Sequence, residues 1–154
     1  MKFICDDMLG TLAKWLRIFG YDTLYGAKND DDLLKISKQD NRVLLTRDKN
    51  LYERTKNQSS CLYIKSMSLH EQLVLVLKKT GITISRDKML SRCLICNIPL
   101  ENKKKSEIRK DVPPYPFQYH EKFWKCPVCN RVYWKGSHWE NMYIRIKKIL
   151  KELG

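Results

Sequence analysis

The chain has 154 residues and a mass of 18.4 kDa, enough for one ordinary domain or for a small domain with a metal-stapled appendage. Hydrophobic residues make up 43% and charged residues 31%, which excludes wholesale disorder, and the longest apolar run, Leu73 to Leu77, falls far short of the ~20 residues of a membrane span. Thirty Lys plus Arg against seventeen Asp plus Glu leave a net charge of +13. That balance favours a polyanionic partner, because each phosphate neutralised releases a condensed counterion.

Met-Lys-Phe-Ile-Cys-Asp-Asp opens the chain, with two acids where a signal peptide would continue apolar; a cytoplasmic protein is expected. Lys2–Cys5 reads as a short strand. Met8–Phe19 follows as a helix with Leu9, Leu12, Ala13, Leu16 and Phe19 on one face, and Gly20 stops it. Asp22–Tyr25 reads as a second strand and Asp30–Lys38 as a helix whose acidic first turn suits the macrodipole. Arg42–Thr46 is a buried type of strand, Lys49–Lys56 a short helix and Cys61–Ile64 a fourth strand. Ser68-Leu-His-Glu71 is a capping box for a helix running to about Thr80, closed by Gly81. Four β-α units with short connections predict an α/β fold: an open, mainly parallel sheet flanked by helices.

After about Lys88 the periodicity stops. Lysines from Lys103 to Lys110, three prolines (Pro113, Pro114 and Pro116) and dense aromatics take its place. Helical spacing returns over Glu140–Leu153. The boundary falls near residues 84–91, dividing the chain into units of 1–88 and 89–154. The second part is the more basic, with fourteen bases and six acids over residues 91–154.

Cys93-Leu-Ile-Cys96 and Cys126-Pro-Val-Cys129 are two C-x-x-C knuckles. Each aims two thiolates at one centre, and two knuckles complete a tetrahedral site suited to structural Zn²⁺, the pattern of a zinc ribbon in which metal replaces a core the segment is too short to build. An iron–sulfur centre or a redox dithiol is the alternative. Cys5 and Cys61 lie in strand positions and read as small buried hydrophobes.

Asp6 and Asp48 sit just beyond the first and third strands, and Asp30 opens the helix after the second. Functional groups of an open parallel sheet gather at the carboxyl ends of its strands. Acids converging there repel one another unless a cation holds them, and hard oxygen ligands favour Mg²⁺ or Mn²⁺. Such a cluster can activate water for displacement at phosphorus. If Asp6 and Asp48 converge, Asp6→Asn or Asp48→Asn is expected to be neutral or stabilising in the metal-free protein. Each Asp taken alone is as readily a helix cap or a turn residue.

The segments Asp6-x-Met-Leu-Gly-x-Leu-Ala-Lys-Trp-Leu-Arg-x-x-Gly-Tyr-Asp22, Asp30-x-x-Leu-Leu and Leu44-Leu45-Thr46-Arg47-Asp48 resemble the PIN-like ribonuclease domain found at the C-terminus of Mut-seven type exonucleases. The resemblance continues through both cysteine knuckles and Val132-Tyr-Trp-Lys-Gly-Ser-His-Trp139. It implies a metal-dependent RNase followed by a zinc ribbon and a C-terminal helix. The catalytic acids carry over to Asp6, Asp30 and Asp48, with Asp31 as a substitute for Asp30, and these acids would hold Mg²⁺ or Mn²⁺. Asp7 stands where relatives usually have a small residue. Asn50 stands where many have a further Asp, which leaves one or two catalytic metals open.

RNA is the expected partner. Lys14 and Arg17, on the polar face of the first helix, and Arg47 are candidates for phosphate contact. Lys103, Lys104 and Lys105 are expected on a mobile loop that adds charge without sequence specificity. His138 and Trp139 are candidate RNA contacts, through a phosphate or proton for the first and base stacking for the second. Tyr133 and Trp134 either stack on bases or pack the ribbon against the first unit, with packing favoured for Trp134. The expected reaction is endonucleolytic RNA hydrolysis. A non-catalytic RNA- or ribosome-binding zinc-ribbon protein is the rival reading, and a toxin paired with an antitoxin a third.

Overall fold

A computed structural model describes residues 1–57 and 60–154. Four short strands form the first sheet: β1 (Phe3–Cys5), β2 (Thr23–Tyr25), β3 (Val43–Thr46) and β4 (Cys61–Tyr63). Their spatial order is β2-β1-β3-β4 and every pairing is parallel. Between them run α1 (Gly10–Ile18), α2 (Asp30–Gln39) and α3 (Lys49–Thr55), with α4 (Leu69–Thr80) after the last strand. The predicted α/β architecture is therefore the observed one.

Central strand β1 is buried along its whole length, and its alternating side chains feed two cores. Phe3, Cys5 and Leu45 join Leu12, Leu16, Leu73 and Val76 on one face; Ile4 and Leu44 join Leu33 and Leu51 on the other. Helices thus cover both faces of the sheet.

The expected Met8–Phe19 helix is split. Asp7–Leu9 forms a 3-10 turn capped by the Asp6 carboxylate, and the α-helix begins only at Gly10. A side chain at Gly10 would come within 2.9 Å of the Tyr25 ring, so a larger residue in this turn would displace that ring. At the other end of α1, Gly20 has φ +90°, and a Cβ there would meet the Lys88 carbonyl at 2.4 Å. Its role extends from helix stop to docking point for the segment leading into the second half. The Ser68 cap appears as expected, its hydroxyl accepting from the Glu71 N–H.

The second half holds a small antiparallel sheet of β5 (Glu101–Lys103), β6 (Phe123–Lys125) and β7 (Val132–Tyr133). A short helix, α5 (Pro114–Tyr119), lies between β5 and β6. Ile108, Val112 and Phe123 make a small core, with Phe117, Val132 and Trp134 against it. The expected mobile lysine loop is instead partly ordered structure. Lys103 belongs to β5 and pairs with Glu101, while Lys105 pairs with Glu121 and lies over the Phe117 ring. Finally α6 (Ser137–Leu153) returns to the first half, where Ile146 and Ile149 complete the core formed by α1 and α4.

Candidate active site and metal centre

Two groups of functional side chains emerge. At the carboxyl ends of β1 and β3, Asp6 is 4% exposed and its carboxylate accepts three hydrogen bonds. Its Oδ2 accepts from the Thr46 hydroxyl at 2.6 Å and the Arg47 N–H at 2.7 Å, and its Oδ1 from the Met8 N–H at 3.1 Å. The Thr46 hydroxyl oxygen in turn accepts from the Asp48 N–H at 2.9 Å. Asp48 caps α3, its Oδ1 accepting from the N–H groups of Asn50 and Leu51. Thr46 thus bridges the two acids, a role not foreseen from the sequence, although it is the residue between a buried strand and the Arg-Asp pair.

This geometry corrects the expectation that Asp6→Asn would be harmless. Asp6 accepts two donors on Oδ2 and one on Oδ1, so an NH₂ group in place of either oxygen leaves at least one donor unmatched. Asp48→Asn differs, because Asn caps helices as well as Asp does.

Asp30 and Asp31 lie exposed in the first turn of α2, whose cap is Asn29 rather than either acid. Asp31 faces Arg54 at 3.9 Å. Among the described residues, no trio containing these carboxylates brings its ligand oxygens within 4.8 Å of one another. Thr46 joins the Asp6 carboxylate to the backbone N–H of Asp48, not carboxylate to carboxylate.

Two tyrosines escaped the sequence reading. Tyr25 and Tyr63 end β2 and β4, the strands on either side of the acid-bearing pair, and register sets them beside Cys5 and Thr46. Tyr25 is 45% exposed, and its hydroxyl donates to the Asp7 carbonyl. Tyr63 stacks on Tyr52 with ring centroids 5.6 Å apart. The available signal was their position at strand ends, Tyr25 closing the predicted Asp22–Tyr25 and Tyr63 one residue short of the end of the predicted Cys61–Ile64.

Among the basic candidates, Lys14 is exposed, as expected for a polar helix face. Arg17 is not: it is 8% exposed, and the polar-face assignment is corrected. Its guanidinium donates to the carbonyls of Thr23 (2.9 Å), Leu94 (2.8 Å) and Ile95 (3.2 Å). Its charge is spent on holding the first cysteine knuckle to β2. Arg47 has a buried Nε without a hydrogen-bond partner among the described residues. Lys104 is exposed at the foot of the ribbon sheet, and His138 is exposed in the first turn of α6. Trp139 is half-buried against the first core, with the Lys135 ammonium 4.7 Å from its ring centre. Trp134 does pack, but on the ribbon's own core, its ring centroid 6.3 Å from that of Phe123, and not against the first unit as expected.

The second group is the cysteine centre. Sulfurs of Cys93, Cys96, Cys126 and Cys129 all lie within 4.8 Å of one another. Both knuckles use the same backbone device: the Asn97 N–H donates to the Cys93 carbonyl and the Asn130 N–H to the Cys126 carbonyl, with both Asn residues at positive φ near 60°. Local donors favour thiolate. The Arg131 N–H and guanidinium push the Cys129 thiol down to about 6. Burial opposes ionisation of Cys93, but the Cys96 N–H and the Tyr133 hydroxyl, 3.1 Å away, outweigh it and lower its pKa. Cys96, desolvated first of all and then crowded by the other thiols, is pushed up to about 12. A soft dication at the centre of four sulfurs would remove that last penalty, and the all-thiolate donor set fits Zn²⁺. Tyr133, considered for base stacking, is instead a hydrogen-bond partner of the metal centre. Cys5 is fully buried and its thiol is pushed up by desolvation, as a structural cysteine requires; Cys61 is half-buried.

Asn97 extends the metal centre into the first half. Its Oδ1 accepts from the Thr23 N–H at 3.0 Å, and its Nδ2 donates to Asp22 at 2.7 Å. Asp22 also pairs with buried Arg42 at 2.7 Å.

The family model for the Mut7-C RNAse domain matches residues 1–146, from the acid edge through both knuckles into α6. The chain belongs to the Mut7-C RNAse domain family. It is similar to a human protein described as exonuclease mut-7 homolog, with 27% identity over 101 residues. That match takes in 62% of this chain and 12% of the relative's length. No solved structure gives a significant match. In this Mut7-C chain the matched stretch includes Asp6, Thr46, Asp48 and all four cysteines.

Proposed function

We propose that the chain is a divalent-metal-dependent ribonuclease that hydrolyses phosphodiester bonds within RNA strands, with a nuclease unit over residues 1–88 and a structural zinc ribbon over 89–154. The observation that carries this reading is the Asp6–Thr46–Asp48 linkage at the carboxyl edge of a parallel sheet, in a chain of an RNase-domain family.

The donor set fits a hard cation. A carboxylate offers about four lone pairs. Asp6 uses three, leaving capacity on Oδ1, and Asp48 binds its own helix through Oδ1 alone, leaving Oδ2. Asp6 and Asp48, with Asp30 or Asp31 from α2, would hold Mg²⁺ or Mn²⁺. Bound there, the ion would lower the pKa of a water and offset charge on the scissile phosphate. The protein's own groups do the rest. Thr46 and the Arg47 N–H fix the Asp6 carboxylate, the exposed Lys14 ammonium meets phosphate oxygens with the Arg47 side chain beside the acids, and Tyr25 and Tyr63 flank the acids where neighbouring bases would lie.

The service of Asp6 and Asp48 as caps favours a second reading, a non-catalytic RNA-binding zinc-ribbon protein in which both acids are purely structural. Zinc-loaded protein incubated with single-stranded RNA separates the two. Cleavage that requires added Mn²⁺ or Mg²⁺ supports the ribonuclease; RNA binding with no cleavage under either ion supports the second reading.

A further inference from the structure

A groove of about 690 Å³ opens between α5 and the junction of β7 with α6, and all of its lining comes from residues 115–140. It is separate from the acid edge. We infer that it is a base-recognition subsite for single-stranded RNA, a second point of contact that deepens, and rests on, the ribonuclease reading.

One wall is a platform of two tyrosines. Tyr115 and Tyr119 stand one helical turn apart on α5, with ring centroids 4.5 Å apart, and they are 70% and 61% exposed. They contribute little to the ribbon core, which Ile108, Val112 and Phe123 already fill. Pro114 and Pro116 restrict the backbone of the six-residue helix that carries them, so the rings are held with little ordering left to do on binding. Exposed, preorganised aromatic faces are what unpaired bases stack upon.

The opposite wall carries polar atoms. A Cβ at Gly136 would meet the Trp134 Nε1 at 3.2 Å and the His120 Nε2 at 3.8 Å. The absent side chain thus leaves an indole donor and an imidazole nitrogen accessible beside each other, where a base edge can be read. Lys135 and His138 lie on the rim, and the surrounding residues 91–154 carry eight more bases than acids. Apolar faces with a few convergent polar groups in a basic surround match the chemistry of a nucleobase on a phosphate strand. A duplex, whose bases are stacked inside, offers no face to this platform.

The test measures the affinity of the zinc-loaded full chain, without added Mg²⁺ or Mn²⁺, for two labelled strands roughly eight nucleotides long, a length typical of single-strand sites. One is ordinary single-stranded RNA; the other is an abasic strand with the same phosphates. Tyr115→Ala combined with Tyr119→Ala should weaken binding of the ordinary strand about tenfold or more, and leave the abasic strand unchanged. Tyr115→Phe with Tyr119→Phe keeps the stacking faces and should retain wild-type affinity. Both variants alter exposed side chains, and unchanged zinc content and melting temperature verify the fold. Equal loss on both strands, or no loss on either, overturns the subsite while leaving the ribonuclease reading standing. Wild-type protein that binds neither strand also overturns the subsite, whereas the ribonuclease reading falls only with the absence of cleavage under added Mn²⁺ or Mg²⁺.

Discussion

The cysteine centre and the carboxylate edge are built on opposite plans. Four sulfurs already share one site, brought there by knuckles whose short sequence spacing and Asn turns are local. Carboxylates at the sheet edge come from separate β-α junctions, and Asp6 and Asp48 are each occupied with backbone donors. A structural centre can be complete because its ligands have no other task. On the proposed ribonuclease reading the acids must cap a turn or a helix and still leave an oxygen for chemistry, which entangles their contributions to stability and to function.

The sharpest contrast should come from the metal centre. Cys126→Ser, or removal of zinc, should unfold residues ~92–139, since structural zinc contributes on the order of 10 kcal/mol to folding. Hydrogen exchange should show more: because Asn97 and Arg17 tie the knuckle to β2, protection of the Thr23 N–H should fall as well. Unchanged protection there would mean that the two halves are energetically independent.

Next in size, the two acids should separate from each other. Asp6→Asn should cost about 1.5–3 kcal/mol, because it disrupts a charged acceptor of three donors. Asp48→Asn should cost no more than about 0.5 kcal/mol, as a cap replaced by an equivalent cap. Chemical denaturation of both variants checks this, and equal losses would erase the distinction.

Acid should weaken the joint between the halves. Burial works against the Asp22 carboxylate, yet hydrogen bonds from Arg42 and Asn97 outweigh it and hold its pKa below the usual 3.8. A depressed folded pKa contributes stability above the unfolded value that is lost as pH falls through the folded one. Asp22→Asn should therefore destabilise the protein at neutral pH, by about 1–3 kcal/mol. The difference from wild type should shrink below about pH 4. A pH-independent difference in melting would assign its effect to packing instead.

The smallest effect belongs to the lysine run. A single strand contributes a slope in log affinity against log salt of roughly −0.7 per phosphate contacted. Lys103 and Lys105 are already paired with Glu101 and Glu121, so neutralising Lys103, Lys104 and Lys105 should flatten the slope by less than three full contacts, as salt titration of RNA binding would show.

The β-α order was legible because each short apolar run and each cap lies within a few residues of its partner, as in Val43–Thr46 or Ser68 with Glu71. The four-cysteine site was legible for the same reason. What escaped depends on distant neighbours. Arg17 looks solvent-facing on a helical wheel, but its carbonyl acceptors at Leu94 and Ile95 lie more than seventy residues away. Strand β5 reads Glu-Asn-Lys and carries no apolar alternation to announce it. The bridging role of Thr46 depends on which strands adjoin in the sheet, and no local pattern encodes that order.

Asp48→Asn offers the most direct test of the central claim, since it should leave fold, zinc and RNA binding intact. Its rate of RNA cleavage in saturating Mn²⁺ is the measurement. The account predicts that cleavage is abolished while the melting temperature stays near that of the wild type; cleavage at the wild-type rate would remove Asp48 from the chemistry and contradict the assignment of the carboxylate edge as the active site.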